Sequence, residues 1–563
     1  MASHRLFRCA SAVRLRRYAA RMKILGLTHP YSWNTAAALL VDGELKAFAE
    51  EERFTRLKHA PRAFPRLAME YCLREGGMTF EEVDHIAIGM DSKWSVILPN
   101  LWPLQPLRFA YGKIQRTMKE INRGNDYLPC SPKDPRVKFI NHHVSHIASS
   151  FYLSGFKKAN FISLDGAGGG ESGMLGWGEG TDLHILHRVT NAGSWGALYE
   201  RVTKILGFKP HSHEGKTMGL AAYGTPHPEL FDFIDWDQPV PEIDHHKRNR
   251  FLAGLTPREH GAEITQEHKD LAATVQDALE RALLRMAKYL SEKSGSRSLC
   301  MSGGVALNCS ANGKLLASEY VDDIFIQPAS SDAGAALGAA VMRHVELTGE
   351  RPHFVFDHAY YGPVFSDREI EAILKESKLR YERCENIARR TAELMAKGKV
   401  VGWFQGRMEA GPRALGGRSI VADPSIKGIK DRVNAEVKHR EMWRPFAPSM
   451  HAEDIGMYVE NPNKSPFMIL AFQARKDKVE EFRAAVHVDE TARVQGVTKE
   501  ANAPYFNLIQ EFKNLTGRGV ILNTSFNIAG EPLVCAPVDA LRTYACCGMD
   551  ALAIGSFLLQ KEP

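Results

Sequence analysis

Apolar residues in this chain come in short runs broken by polar turns. Lys23–Thr28 is such a run, followed by Ala36–Val41, the dipeptide Asp42-Gly43 and then Glu44–Ala49. That order predicts a strand and then a β-hairpin closed by a favoured turn dipeptide. The pattern returns at Phe161-Ile162-Ser163-Leu164-Asp165-Gly166, where an apolar strand is expected to end at Asp165 and give way to the glycine-rich loop Gly166–Gly170. Gly173–Gly178 and His184–Val189 then predict a second hairpin. A helical stretch follows each hairpin, Arg62–Gly76 after the first and Trp195–Leu206 after the second. Further on, Gln266–Ser291 has helical period, and Leu299–Met301 is a strand ending in Ser302-Gly303-Gly304. Asp323–Gln327 is another strand, followed by Asp332 and a helix from Ala333 to Leu347.

Two successive strand–hairpin–helix sets imply a duplicated α/β domain of the actin-like ATPase (ASKHA) type, in which two lobes hold a nucleotide between turns rich in Gly and Asp. From Thr348 to Phe365 the composition shifts to Gly, Pro, His and Tyr without helical period, which marks a domain boundary. The reading is therefore residues 22–355 as the duplicated domain and 356–563 as a second α/β domain, with residues 1–21 set apart.

Composition narrows the class. A chain of 563 residues with 44% apolar and 25% charged residues is ordinary for a globular enzyme of several domains. Apolar runs stay short of the ~18 residues of a membrane span, which argues against an integral membrane protein. The net charge of +6 comes from six arginines within the first 21 residues. Without them the two signs balance, so the charge gives no argument for nucleic acid. That acid-free leader has the character of a mitochondrial transit peptide, or else marks an upstream start with Met22 as the true beginning; the second reading is favoured. Nine cysteines without a CxxC spacing suit a reducing, cytoplasmic location.

Several clusters carry candidate chemistry. In Asn141-His142-His143-Val144-Ser145-His146, His142 and His146 are four apart and share a helix face. Two imidazoles one turn apart can hold a metal completed by carboxylates, or can be hydrogen-bonded residues of a polar helix start. Asp165 beside five small residues is either a metal or magnesium contact or a turn residue. Ser302–Asn308 and Ser330–Gly334 place small residues ahead of helices, where backbone N–H groups can face an anion; Asp332 alone would be an N-cap. Glu214–Gly224 suits the wall of a nucleotide cleft or a tight helix-packing surface. Between Arg407 and Arg444 lie six arginines and three lysines among Gly-Pro and Trp-Arg-Pro-Phe-Ala-Pro punctuation. Arginine forks of this kind recognise phosphate, while interspersed acids fit a solvated face.

These segments resemble the NodU/CmcH/TobZ carbamoyltransferases over nearly the whole length from Met22. The resemblance rests on Glu50–His59, the His142/His146 pair, Glu214–Gly224, Gly303–Asn308, Gly411–Ser419, Arg444–Pro448 and Asn523–Asn527. It implies an ATP-dependent O-carbamoyltransferase. Its YrdC-like C-terminal domain would make carbamoyl-adenylate from carbamoyl phosphate and ATP with Mg. Its actin-like domain would transfer the carbamoyl group to the hydroxyl of a sugar or secondary metabolite. By motif, His142, His146, Asp165 and Asp332 would hold Fe(II) or another divalent transition metal. Arg413, Lys438, Arg444, Arg493 and Asn523 would bind carbamoyl phosphate and ATP. Gly303, Gly304, Asn308 and Lys216 would line the nucleotide site, and Lys58 would sit near the reacting group. No membrane or nucleic-acid partner is expected, and a homodimer is compatible.

One departure stands out: where the family often has His-Asp before the Ala-Leu-Val-Asp-Gly run, this chain has Trp33-Asn34. Neither side chain can take a proton at neutral pH. His29, four residues earlier beside Pro30, is the replacement base suggested by position, unless the metal or the leaving phosphate accepts the proton. The rival assignments are a tRNA threonylcarbamoyl-transfer enzyme, which the balanced charge disfavours, and a non-catalytic actin-like nucleotide switch, which would leave the arginine-rich domain without purpose.

Overall fold

The computed structural model describes residues 22–30, 32–90, 129–131 and 133–561. The leader read from the sequence lies outside them. The chain divides into two compact units: one holds the residues up to Glu51 together with His59–Phe356, the other holds Glu52–Lys58 with the chain from Asp357 onward.

The first unit repeats one topology twice. Its first sheet is built from β1 (Lys23–Leu27), β2 (Ala36–Val41), β3 (Glu44–Glu50), β4 (His85–Ile88) and β5 (Val137–Phe139), in the order β3-β2-β1-β4-β5. β1, β2 and β3 run antiparallel, and β4 and β5 continue parallel to β1. The second sheet uses β6 (Lys158–Gly168), β7 (Glu171–Glu179), β8 (Asp182–Thr190), β9 (Ser298–Ser302) and β10 (Asp323–Ile326), in the order β10-β9-β6-β7-β8. Its antiparallel and parallel pairings fall in the same places. This is the duplication that the two strand–hairpin–helix sets predict. The first hairpin turns where the sequence placed it, with Asp42 and Gly43 both at positive φ, 53° and 76°, as a type I′ turn requires.

Helices α1 (Arg66–Glu75), α2 (His142–Phe151), α3 (Trp195–Ile205), α4 (Glu214–Ala221), α5 (Gln266–Ser294), α6 (Cys309–Leu316) and α7 (Asp332–Thr348) are among the helices of this unit. α7 is rich in Ala and Gly, and this sets how closely it packs. A Cβ on Gly338 would lie 1.7 Å from the Ser145 carbonyl oxygen of α2, and one on Gly26 of β1 would lie 2.0 Å from the Ala336 carbonyl oxygen. Small residues therefore let α7 lie directly on β1 and α2, which carries its N-terminal Asp332 to the histidines of α2. Two boundaries differ from the sequence reading. α1 starts at Arg66, because Arg62 is at φ 58° and Pro65 precedes the first turn. β6 runs on through Asp165 to Gly168 rather than ending at Asp165, its register with β7 broken between Leu164 and Gly168.

The second unit is centred on an eight-stranded mixed sheet. Its strands are β11 (Glu382–Arg383), β12 (Val401–Phe404), β13 (Arg418–Ala422), β14 (Ala447–His451), β15 (Gln495–Val497), β16 (Val520–Ser525), β17 (Ala551–Ile554) and β18 (Phe557–Gln560), ordered β11-β18-β17-β12-β13-β16-β14-β15. Period-two alternation sorts the strand residues between two cores. Val401, Trp403, Val421 and Ile521 pack with Tyr505, Leu508, Ile509 and Phe512 of α10 (Ala503–Thr516) and with Ala388, Ala392 and Met395 of α9 (Ile387–Ala396). Ile420, Ala422, Leu522, Leu552 and Ile554 pack with Ile370 and Leu374 of α8 (Asp367–Ser377) and Ala540, Leu541 and Tyr544 of α11 (Pro537–Ala545). Strands buried on both faces read as near-continuous apolar runs.

The segment Glu52–Lys58, which the sequence reading gave to the first domain, belongs to this second unit. Phe54 packs on Met408, Ala414, Leu533 and Cys535, Arg53 Nη2 donates to the Gly411 carbonyl at 2.6 Å, and Arg56 donates to the carbonyls of Pro532 and Leu533. Among the described residues no helix is long and apolar enough to cross a membrane, and the eight described cysteines are all free of disulfides.

Candidate metal centre and cation cluster

In the first unit four side chains from three elements converge. His142 and His146 stand on α2, whose N-cap Asn141 accepts from the Val144 N–H at 3.0 Å. Asp165 comes from β6 and Asp332 from the first turn of α7. One ligand atom from each lies within 4.8 Å of all the others. The two Nε2 atoms are 3.1 Å apart, His146 Nε2 is 3.2 Å from Asp165 Oδ2, and His142 Nε2 is 3.8 Å from Asp332 Oδ1. Both imidazoles are buried, at 1% and 0% exposure. Two nitrogen and two oxygen donors in this geometry fit a first-row transition ion better than calcium.

The surroundings hold the donors in place. The Gly166 N–H binds Asp165 Oδ1 at 2.8 Å and the Trp33 N–H binds Asp332 Oδ2 at 2.6 Å. Burial alone would lower the pKa of His142, but the Asp165 and Asp332 carboxylates outweigh it and hold it above 6.5. Burial would raise Asp165, yet the two imidazoles hold it well below 3.8, while burial and the neighbouring Asp165 charge raise Asp332. The third histidine of the run, His143, points elsewhere. Its Nδ1 meets Ser163 Oγ at 3.0 Å, and burial, then His142 and His146, push it well below 6.5.

Glycines line this centre because nothing larger fits. A Cβ on Gly168 would be 2.0 Å from His142 Cδ2, and one on Gly304 would be 3.0 Å from Asp165 Oδ1. Gly303, at φ 83°, packs against the Leu164 carbonyl. Gly304 thus adjoins Asp165 and Gly303 the residue before it. Asn308 is occupied structurally: its Oδ1 caps α6 through the Ala311 N–H, and its amide is paired with Gln276. Lys216 on α4 lies over the Phe208 ring, 5.4 Å from its centroid. His29 is half-buried in the turn after β1, where its carbonyl accepts from the Ser32 N–H at 2.8 Å.

The second unit gathers cations. Arg440 is held well below 12.5 by burial and then by Arg444 and Arg493. Burial lowers Arg444 too, with Glu441 opposing and Arg493 adding to it. Lys438 is pushed well below 10.5 by burial, Arg440, Arg444 and Lys58, and Lys58 is itself lowered by burial, against Glu52, with Arg444, Arg53 and Arg413 adding to the effect. Lys58, Arg413, Lys438, Arg444 and Arg493 are therefore neighbours, and Arg440 joins them. Arg440 was one of six arginines in the sequence run, and only its placement singles it out. Its Nε donates to Asn434 Oδ1 at 2.7 Å, its Nη2 donates to the Pro445 carbonyl at 3.1 Å, and it stacks 4.5 Å from the Phe446 centroid.

Not every expected ligand points outward. Lys438 Nζ lies at the end of a π-helical stretch, Val433–Lys438, and reaches four oxygens of Ser525 and Asn527 at 2.7–3.1 Å. Asn523 Nδ2 donates to the Ala414 carbonyl, Ser449 Oγ and Gln495 Oε1, while its buried Oδ1 and the Arg493 Nε are left without a hydrogen-bond partner. Glu409, 1% exposed, accepts from the N–H groups of Leu415, Gly417 and Arg418 and so shapes the loop that presents Arg413.

Residues 124–341 match the carbamoyltransferase N-terminus family and residues 392–561 the carbamoyltransferase C-terminus family. The chain is 39% identical to nodulation protein NolNO of Sinorhizobium fredii, covering 96% of this chain and 80% of that one. It is 40% identical to nodulation protein NolO of Bradyrhizobium diazoefficiens, covering 75% and 79%. To the 3'-hydroxymethylcephem-O-carbamoyltransferase of Streptomyces clavuligerus it is 31% identical, covering 60% and 63%. The alignment over nearly the full chain, with both family halves in order, makes this protein a member of the NodU/CmcH carbamoyltransferase family and a transferase enzyme.

Proposed function

We propose that this carbamoyltransferase works in two steps, each housed in one unit. In the second, YrdC-like unit, carbamoyl phosphate is split by water to carbamate and phosphate. A carbamate oxygen then attacks the α-phosphorus of Mg-ATP, giving carbamoyl-adenylate and pyrophosphate. In the first unit, an acceptor hydroxyl on a sugar or secondary metabolite attacks the carbamoyl carbon, the bond to the phosphate oxygen breaks, and AMP leaves.

The observation that carries this reading is the crowding of like charges in the second unit. Lys58, Lys438, Arg440 and Arg444 are each lowered, after burial, by other cations of the same cluster. Such repulsion is costly in a folded protein unless an anion relieves it, and a phosphate donor with a nucleotide triphosphate supplies several negative charges. The Arg413, Arg440, Arg444 and Arg493 guanidinium groups would bind those phosphates. Asn523 Oδ1 is a buried acceptor suited to the carbamoyl N–H. Lys438 would act by fixing the Ser525–Asn527 loop and adding charge behind it.

In the first unit, Gly303, Gly304 and Lys216 would line the adenylate, with Asn308 holding the start of α6. His142, His146, Asp165 and Asp332 would hold Fe(II) or another divalent transition ion, which when bound supplies Lewis acidity toward a phosphoryl or carbonyl oxygen. The free cysteines are consistent with a cytoplasmic enzyme. The test is pyrophosphate release from ATP with and without carbamoyl phosphate. Release that depends on carbamoyl phosphate is expected; release that ignores it would overturn the two-step reading.

A further inference from the structure

We propose that His211, oriented by Glu200, is the base that takes the acceptor's hydroxyl proton, a role that rests on the two-step carbamoyl transfer above. Three observations lead there. The first is a carboxylate–imidazole pair beside the metal centre. His211 Nε2 is 3.0 Å from Glu200 Oε1. Glu200 lies on α3, and the N-cap of that helix pins it to the strand carrying Asp165. Ser194 Oγ donates to the carbonyls of Asp165 and Gly166 at 3.0 and 2.8 Å and accepts from the Ala197 N–H at 3.0 Å. Glu200 Oε2 is 3.8 Å from where a Cβ on Gly166 would stand.

The second is the tie from His211 through Trp33 to Asp332. Trp33 Nε1 donates to the His211 carbonyl at 2.8 Å, and the two rings lie 4.4 Å apart. The backbone N–H of the same Trp33 binds Asp332. One residue thus links His211 to a ligand of the metal centre. The third is accessibility. The His211 side chain is 43% exposed, so a hydroxyl can reach it. Its backbone is at φ 60°, held by its own N–H on Glu214 Oε1 at 2.6 Å.

The chemistry follows from the pairing. Glu200 fixes the tautomer with a proton on Nε2 and leaves Nδ1 as the acceptor. As the acceptor oxygen bonds to the carbamoyl carbon, its proton passes to Nδ1, and AMP departs with the electron pair of the broken C–O bond. The Glu200 hydrogen bond is the largest influence on the His211 pKa and raises it. Partial burial lowers it, and Glu214 and Asp165 raise it further; Asp332, His29, His59 and His213 are titratable groups about the Trp33 loop. His29, suggested by sequence position, shares that loop, where its carbonyl accepts from the Ser32 N–H.

The test uses the full-length protein with carbamoyl phosphate, Mg-ATP and methanol as the probe hydroxyl, reading methyl carbamate by mass spectrometry and pyrophosphate in parallel. His211→Ala should lower methyl carbamate formation by about 10²-fold or more relative to pyrophosphate release, and added imidazole should restore part of it. Transfer by the parent should fall on acidification with a midpoint above 6.5, since a protonated base is inactive. Glu200→Gln should move that midpoint to lower pH, a shift that a merely structural role would not produce. Transfer by His211→Ala within threefold of the parent, an unmoved midpoint in Glu200→Gln, or a loss seen in His29→Ala instead would each overturn the assignment. A parent that releases no pyrophosphate overturns the two-step reading and this proposal with it; intact pyrophosphate release with intact transfer in His211→Ala overturns the base alone.

Discussion

Replacing Gly168 by Ala should empty the metal centre while leaving the fold in place. The added methyl carbon would stand 2.0 Å from His142 Cδ2, 2.4 Å from Nε2 and 2.5 Å from Cγ. Ordinary carbon–carbon contact begins near ~3.5 Å, so the ring must retreat by more than an ångström. Metal–ligand distances tolerate only ~0.2 Å, and His142 is 1% exposed, so the ring cannot swing aside and still reach the ion. Disturbing a residue that merely supports a ligand costs about 10–100-fold in metal affinity, and displacing a ligand should cost at least as much. Overpacking of this kind takes about 1–3 kcal/mol from stability, which a large α/β unit survives. The assay is competition for Fe(II) or Zn(II) against a chromophoric chelator, with the melting transition followed alongside. Gly215→Ala is the control, since nothing lies within 4 Å of a Cβ there. A Gly168→Ala protein that binds the ion within threefold of the parent would refute the reasoning, as would retention of metal when His142 and His146 are both replaced by Ala.

Two further outcomes are expected. Arg444→Ala should lower pyrophosphate release by about 10–100-fold, the equivalent of one charge-assisted contact of ~1.5–3 kcal/mol; near-normal release by the folded variant would remove Arg444 from the phosphate site. The pH dependence of stability should carry the signature of His143, whose folded pKa lies well below 6.5 because of burial and its histidine neighbours. Above the unfolded value of ~6.5 both states leave it neutral. Below that, the unfolded chain takes up a proton that the folded one refuses, so stability falls by up to ~1.4 kcal/mol per pH unit until the folded pKa is reached. Metal-free His143→Gln should therefore lose less in melting temperature between pH 7.5 and 5.5 than the metal-free parent, and equal slopes would assign the acid sensitivity elsewhere.

What could be read from the sequence was whatever a local rule governs. The hairpins follow from short apolar runs broken by polar turns and from Asp42-Gly43, and the His142/His146 pair follows from helical spacing. The placement of α7 on β1 and α2 follows no local rule. It depends on Gly26 and Gly338 meeting backbone from distant segments, and without it Asp332 has no reason to meet the histidines. The Glu52–Lys58 segment is similar: its attachment to the second unit rests on Phe54 and Arg53 finding partners more than 350 residues away. Glu200 and His211 stand on either side of a turn, and only the positions of α3 and the Trp33 loop bring them to the metal centre.

The arginine run shows most clearly where composition stops being informative. Arg418 and Arg440 are the same residue type in the same stretch, and both count equally as candidate phosphate ligands. In the structure Arg418 is fully buried, 3.7 Å above the centroid of Phe404, and its guanidinium donates to the carbonyls of Pro363, Gln405, Gly406 and Gly417. Those carbonyls take its terminal N–H groups and leave it the work of holding the chain at Gln405, Gly406 and Gly417. Arg440 also meets a carbonyl, that of Pro445, and Asn434 Oδ1, but it stands beside Arg444 and Arg493, which after burial lower it, against Glu441. A guanidinium set wholly among carbonyls is thereby told apart from one set beside other cations. That distinction lies in which partners each donor has found, and partners are assigned by the fold.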